Sequence, residues 1–216
     1  MSSTVRFYSP AEELANALTH GFGLLLSIAA FPILLLATVA RHDWLQVAGA
    51  SVFGATMIAV YTTSTLYHAI PHVAVKHRLR VADHIAIYFL IAGTYTPFTL
   101  GVLRGVWGWS LFGVLWTLAA LGVIFKLTMG MRFPRASTAF YVTMGWMCVV
   151  AIKPMMTMIP GAGFLWLVAG GLFYTLGVPF YLMKGTRFTH AVWHLFVLGG
   201  SACHFWSVLH YSALVV

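Results

Sequence analysis

The chain is predicted to be all-α: a polytopic membrane protein folded as a seven-transmembrane-helix bundle, with its N-terminus in the cytoplasm and its C-terminus outside. Three observations predict this. Of the 216 residues, 61% are hydrophobic and only 7% are charged, with a mean hydropathy of +0.90, whereas a soluble domain carries roughly 25% charged residues. Apolar runs of the about 20 residues needed to cross a bilayer recur along the whole length. The basic residues gather in alternate connections between those runs.

The runs justify the spans in order. Residues 21–40 follow an acidic, polar stretch and are long enough to span, so they read as a helix and not as a cleavable leader. Residues 45–70 form the second span, closed by Pro71, and residues 83–103 the third, opening on Asp83. Residues 107–125 are the shortest, followed by 139–159, 163–183 and 189–213. Pro32, Pro97, Pro154 and Pro179 fall inside spans, where a bilayer tolerates them as kinks if neighbouring helices re-satisfy the backbone. No internal repeat or low-complexity segment is visible. Residues 1–216 make one membrane domain, with 1–20 as a cytoplasmic or interfacial segment.

Seven spans put the termini on opposite sides. One side takes Arg6, Lys76, Arg78, Arg80, Lys126, Arg132, Arg135, Lys184 and Arg187, nine of the 12 basic residues; the other takes Arg41, Arg104 and Lys153. The positive-inside rule makes the first side cytoplasmic. The pI of about 9.8 therefore reports orientation and contact with anionic lipid headgroups, not affinity for nucleic acid. Cys148 and Cys203 both fall within apolar runs and read as small core hydrophobes, not as a disulfide framework.

This topology assigns depth to the polar residues. Ser64 and His68 at the end of span two, Asp83 at the start of span three, His190 and His194 at the start of span seven, and His20 at the start of span one all land in one leaflet. Ionisable groups at membrane depth are costly enough to need a function. His190 and His194 are four residues apart, about 40° around a helix and one turn in height, so both imidazoles can address one ion. With His68 they make a three-histidine zinc site with a position left for water, whose pKa can fall to about 7. Asp83 is placed to bond that water or orient a histidine, and Ser64, one turn before His68, to support the water or a substrate oxygen. The alternative is that these histidines only hydrogen-bond between helices.

The remaining histidines fit that site less well. His204 is ten residues past His194, roughly 15 Å further along the helix and turned by about 80°, so a helix–helix hydrogen bond is expected of it. His210 lies further out. His42, His72 and His77 are expected in loops, and His84 points elsewhere on its helix. Glu12, Glu13, Asn16 and His20 fall close to one helical face, where Glu13 or Asn16 would cap a helix, cover the site from the cytoplasm, or simply face water. Ala50 and Gly54 form a small-xxx-small pair that permits close packing.

Taken together, EELANALTHG, STLYHAIPH with its following DH, GTYTPF and HAVWHLFVLGGSACHF closely resemble the bacterial haemolysin III family, the prokaryotic branch of the progestin and adipoQ receptor superfamily, from about Glu12 to Phe205. The resemblance implies a seven-helix bundle with a cytoplasmic N-terminus. It implies zinc held at His68, His190 and His194, with Asp83 and Ser64 beside a zinc-bound water. The long N-terminal region of the eukaryotic receptors is missing, so hormone binding does not carry over. Eukaryotic members are associated with ceramide hydrolysis, and bacterial members carry a haemolysin name and have been linked to membrane energetics and lipid homeostasis.

The function expected first is a zinc-dependent hydrolase of a lipid amide or ester in the bacterial inner (plasma) membrane, with membrane lipids as partners and no nucleic acid. The alternative is a non-enzymatic homeostasis or sensor protein in which zinc staples helices. A pore-forming cytolysin fits least, because the polar residues cluster in one leaflet and do not line a continuous path. A proton or ion transporter would have only His204 and His210 to continue a relay through the outer leaflet.

Overall fold

The protein is described by a computed structural model covering residues 8–183 and 185–213; Arg6 and Lys184, assigned above to the cytoplasmic side, lie outside the described residues. The first helix, α1 (Pro10–Val39), starts earlier than its apolar run. Ser9 and Glu12 form a reciprocal capping box, Ser9 Oγ accepting from the Glu12 amide at 3.3 Å and Glu12 Oε2 accepting from the Ser9 amide at 3.0 Å. The acidic leader is therefore the first turns of a membrane helix, not a separate element. Asp43 caps α2 (Trp44–Ala69), accepting from the amides of Leu45 and Gln46 at 3.1 and 3.4 Å. Burial pushes the Asp43 carboxyl up, but Arg104, 2.7 Å away, and the two amides outweigh it and hold it below its ordinary value.

Helix α3 (Val73–Leu100) begins ten residues before the predicted third span. Its N-cap is His72, and His77, expected in a loop, lies within it. Helix α4 (Val106–Met129) ends at Gly130, whose φ of 58° is left-handed. The predicted fifth span is broken: α5 (Pro134–Gly145), a 3₁₀ turn (Met147–Val149) and α6 (Ile152–Met158) meet at a 55° bend. Helices α7 (Gly161–Leu182) and α8 (Thr189–Val208) follow, and α8 ends in a π turn, Leu209–Ala213.

Five of these helices are long and apolar enough to cross a membrane, namely α1, α2, α4, α7 and α8, and the bent α5–α6 pair is a sixth candidate. Helix α3 has 28 residues but dilutes its apolar run with Lys76, Arg78, Arg80, Asp83, His84 and three threonines, and is not among them. The surface is that of a protein in an apolar solvent. Leu18, Leu25, Leu36, Leu127 and Leu165 are exposed, whereas Asn16, His20, Ser64, His68, Asp83 and His194 are buried.

The helices pack as neighbours in series, α1 on α2, α2 on α3, α3 on α4, and α7 on α8, with α8 also closing against α1. Backbones of α2 and α3 approach closely at Gly49, where a Cβ would stand 2.8 Å from Pro97 Cα. Polar anchors tie the elements together. Tyr61 of α2 donates to Ser201 Oγ at 2.7 Å, and Tyr174 of α7 bonds the same oxygen at 2.8 Å. The break after α5 is held by Tyr95, which donates to the Gly145 carbonyl at 2.6 Å and accepts from the Cys148 amide at 3.0 Å. Backbone groups freed by the bend are thus satisfied by a neighbouring helix, as a water-free environment demands.

Replacing Gly49 with Val should force α2 away from the Pro97 backbone and destabilise the protein by about 1–3 kcal/mol or more. Gly113→Ala, where a Cβ meets nothing within 4 Å, should leave stability unchanged or slightly raised. Thermal unfolding of both variants in detergent reads the difference.

Candidate metal centre

His68 ends α2, and His190 and His194 occupy the first two turns of α8. Helix α1, packed against both α2 and α8, brings these termini together. One ligand nitrogen from each of the three rings lies within 4.8 Å of the others, a spread that closes onto one ion with Zn–N bonds of about 2.0–2.1 Å by small side-chain movements. His68 and His194 are buried and His190 is half-buried.

The nitrogens facing away are held by α1. Glu13 Oε2 accepts from His68 Nδ1 at 2.7 Å. Asn16 Nδ2 is 3.5 Å from the same nitrogen, but a nitrogen that donates to a carboxylate has no lone pair for an amide, so Glu13 sets the tautomer. Lys76 Nζ pairs with the other Glu13 oxygen at 2.9 Å and donates to the Tyr67 carbonyl at 2.8 Å. His194 Nδ1 donates to the Asn16 carbonyl at 3.2 Å and lies 3.0 Å from Thr19 Oγ1, whose own proton goes to the Ala15 and Asn16 carbonyls. With Nδ1 protonated, Nε2 of His68 and of His194 carries a lone pair. Nε2 of His68 and Nε2 of His190 are buried without a hydrogen-bond partner, the state of a nitrogen reserved for a ligand. Neutral imidazoles oriented from behind by a carboxylate and a carbonyl are the donor set that zinc takes, so the residues fit the ion.

Asp83 and Ser64 are buried and line the same cavity as His190 and His194. The Asp83 carboxylate is not one of the converging ligand groups; Asp83 Oδ2 stands 3.6 Å from His84 Nδ1. That nitrogen donates to the Arg80 carbonyl at 2.8 Å, and His84 Nε2 accepts from Tyr181 at 3.1 Å, so His84 packs α3 against α7. His204 makes the helix–helix bond expected of it, donating to the Leu167 carbonyl at 3.2 Å.

Glu13, whose role the sequence left open, belongs to the centre. Thr19 and Lys76 were not anticipated. His20 stacks on His194 with ring centroids 3.5 Å apart, and both of its nitrogens are buried and unpartnered. The available signal was the spacing of Glu13, Asn16 and His20 on one face of α1; nothing in the sequence paired that face with His68 and His194.

From this centre a cavity of about 1100 Å³, counting space open to the outside, runs between α3, α5, α7 and α8. Its walls pass from Asp83 to Thr94 along α3 and from His194 to His204 along α8, roughly 15 Å of helix. Val60, Ile87, Leu90, Ile91, Val178 and Val197 make the wall largely apolar.

A family model described as haemolysin-III related matches residues 8–205. Hemolysin-3 of Bacillus cereus is 49% identical over 200 residues, covering 93% of this chain and 91% of the relative. The Hemolysin-3 homolog of Bacillus subtilis (strain 168) is 46% identical over 204 residues, covering 94% and 96%. The monocyte to macrophage differentiation factor of Homo sapiens is 31% identical over 216 residues, covering 94% and 87%.

Removing the carboxylate behind His68 should loosen metal without unfolding the bundle. Glu13→Ala is expected to lower zinc affinity about 10–100-fold, read by chelator competition on purified protein, with Glu13→Gln weakening it less because the amide oxygen still accepts from Nδ1.

Proposed function

This chain belongs to the haemolysin-III related family and is a multi-pass membrane protein, and from that membership and the three converging imidazoles we propose that it is a zinc-dependent hydrolase of a lipid amide or ester in the bacterial inner membrane. The observation that carries the proposal is the pair of buried, unpartnered Nε2 atoms of His68 and His190, beside an apolar cavity that His190 and His194 line. His68, His190 and His194 would hold the ion. Zinc there would act as a Lewis acid and lower the pKa of a bound water.

The residues of the chain perform the rest. The cavity takes the hydrocarbon tail between α3, α5, α7 and α8 and keeps bulk water from the scissile group. Asp83, facing the cavity, accepts the proton of the attacking water and returns it to the leaving nitrogen or oxygen. Ser64 bonds a substrate oxygen from the α2 side. Glu13, Asn16 and Thr19 keep the ligand imidazoles in one tautomer and one orientation throughout.

The same proposal includes the topology. Counting α3 and the bent α5–α6 pair as one crossing each makes seven spans. Lys76, Arg78, Arg80, Lys126, Arg132, Arg135 and Arg187 then share the cytoplasmic side with the metal centre, against Arg41, Arg104 and Lys153 outside. The Arg104–Asp43 pair ties two connections at the outer end, and the Phe188 amide donating to Glu12 Oε1 at 3.2 Å ties two elements at the inner end.

Protein purified in detergent should carry close to one zinc per chain, and His194→Ala should carry none. Asp83→Ala should keep the metal and lose about 10²–10⁴-fold of lipid amide or ester turnover; undiminished turnover in a zinc-loaded Asp83→Ala protein would end the mechanism. With Cys148 and Cys203 replaced by Ala, a cysteine at position 42 should label from outside intact cells and one at position 77 should not.

A further inference from the structure

Lys126 lies in the last turn of α4 with 0% of its surface exposed. Among the described residues its one hydrogen-bond partner is the Met131 thioether, 3.8 Å from Nζ. Sulfur is a weak acceptor, and a cation withdrawn from water without an anion is among the costliest arrangements a fold can hold. The burial follows from the packing. One turn earlier, Gly122 lets α4 close onto the Tyr88 ring of α3, an approach that any Cβ would block. The next turn of α4 then falls against the part of α3 that carries Arg80 and His84.

Arg80 is half-buried and close enough to act electrostatically on Lys126 and on His84, Asp83 and His190, so it neighbours both Lys126 and the candidate metal centre. The amino end of α5 comes to the same place: Met131 precedes it and Thr138, in its second turn, lines the cavity. That helix starts without a side-chain cap and without an acidic residue in its first turn, and Arg132 and Arg135 flank it in solvent. The chain has four carboxylate side chains, and each is engaged elsewhere. Glu12 caps α1, Glu13 holds His68 and Lys76, Asp43 pairs with Arg104 at the far end, and Asp83 faces the cavity beside His84. Among the described residues Arg80, Lys126, Arg132 and Arg135 form no ion pair. Topological bias explains exposed arginines but not a buried lysine beside a second cation, and like charges gathered around helix amide donors call for an anion.

We propose that Lys126, Arg80 and the amino end of α5 bind a phosphate group at the rim of the cavity, and that this phosphate is the headgroup of a lipid whose chains lie in the cavity. The proposal rests on the hydrolase function only in making that lipid the substrate, a phosphate-bearing lipid amide or ester. The headgroup would anchor beside Asp83 and Arg80 while the scissile bond lies at the histidines.

The test uses the full chain in dodecyl maltoside and three probes: dihexanoyl phosphatidic acid, dihexanoylglycerol with the same chains and no phosphate, and inorganic phosphate, with binding followed by tryptophan fluorescence. Phosphatidic acid should bind saturably and more tightly than either control. Lys126→Met should weaken it about tenfold or more, while Lys153→Met, the same charge change at the opposite end, should leave it within about twofold. Should Lys126→Met fail to fold, the half-exposed Arg80→Gln is expected to show the same loss. Equal binding by wild type and these variants, or an equal loss in Lys153→Met, would overturn the site. Inorganic phosphate binding as tightly as phosphatidic acid, and equally dependent on Lys126, would overturn the lipid headgroup as its source. Zinc content of Lys126→Met separates the two proposals: it should stay close to that of the wild type while phosphatidic acid binding falls, so either can fail without the other.

Discussion

The site depends on what α1 does to two imidazoles. In a bilayer no water is available to satisfy a ring nitrogen, so each must find a protein partner or a ligand. Glu13 takes the proton of His68 Nδ1, and the Asn16 carbonyl takes that of His194 Nδ1. These bonds set the tautomers and turn the opposite nitrogens toward one point. The capping box at Ser9 and Glu12 starts the helix early enough to carry Glu13 to its place, and Lys76 balances the Glu13 charge from α3. Four helices therefore meet at a centre whose three converging imidazoles come from only two.

The same constraint shapes the rest of the bundle. A helix broken inside a membrane exposes amides and carbonyls, and the break after α5 persists because the Tyr95 hydroxyl both donates to Gly145 and accepts from Cys148. The bent segment and the small wall residues Gly145 and Gly171 stand beside the long cavity that leads away from the histidines. Its far end is marked by His204, committed to the Leu167 carbonyl.

Charge is distributed to match. Arg104 and Asp43 neutralise one another at one end, whereas the end that holds the histidines concentrates cations whose carboxylates are already engaged. Burying Lys126 among them is costly unless an anion completes the cluster, which is the ground for the phosphate site proposed at this end.

The composition and the spacing of apolar runs sufficed for the all-α membrane class, and His68, His190 and His194, which the fold brings together, stood out because ionisable residues at membrane depth are conspicuous. The periodicity also foretold a helix–helix role for His204. Local sequence was less informative where structure departs from hydropathy. The true start of α3 at Val73 was hidden because basic residues read as loop, although a helix continues past the membrane surface without cost. The break at residues 145–152 was hidden because an apolar run looks the same whether straight or bent, and what decides is a tyrosine fifty residues upstream. Glu13, Thr19 and Lys76 joined the centre, and Lys126 was buried, only through contacts between helices remote in sequence. Hydropathy and helical spacing are properties of one segment at a time, so the sequence by itself determined the solvent of this protein, its helices and the residue types able to bind an ion. Which nitrogens converge and which cation lacks an anionic partner are properties of pairs of segments, decided only when the helices packed.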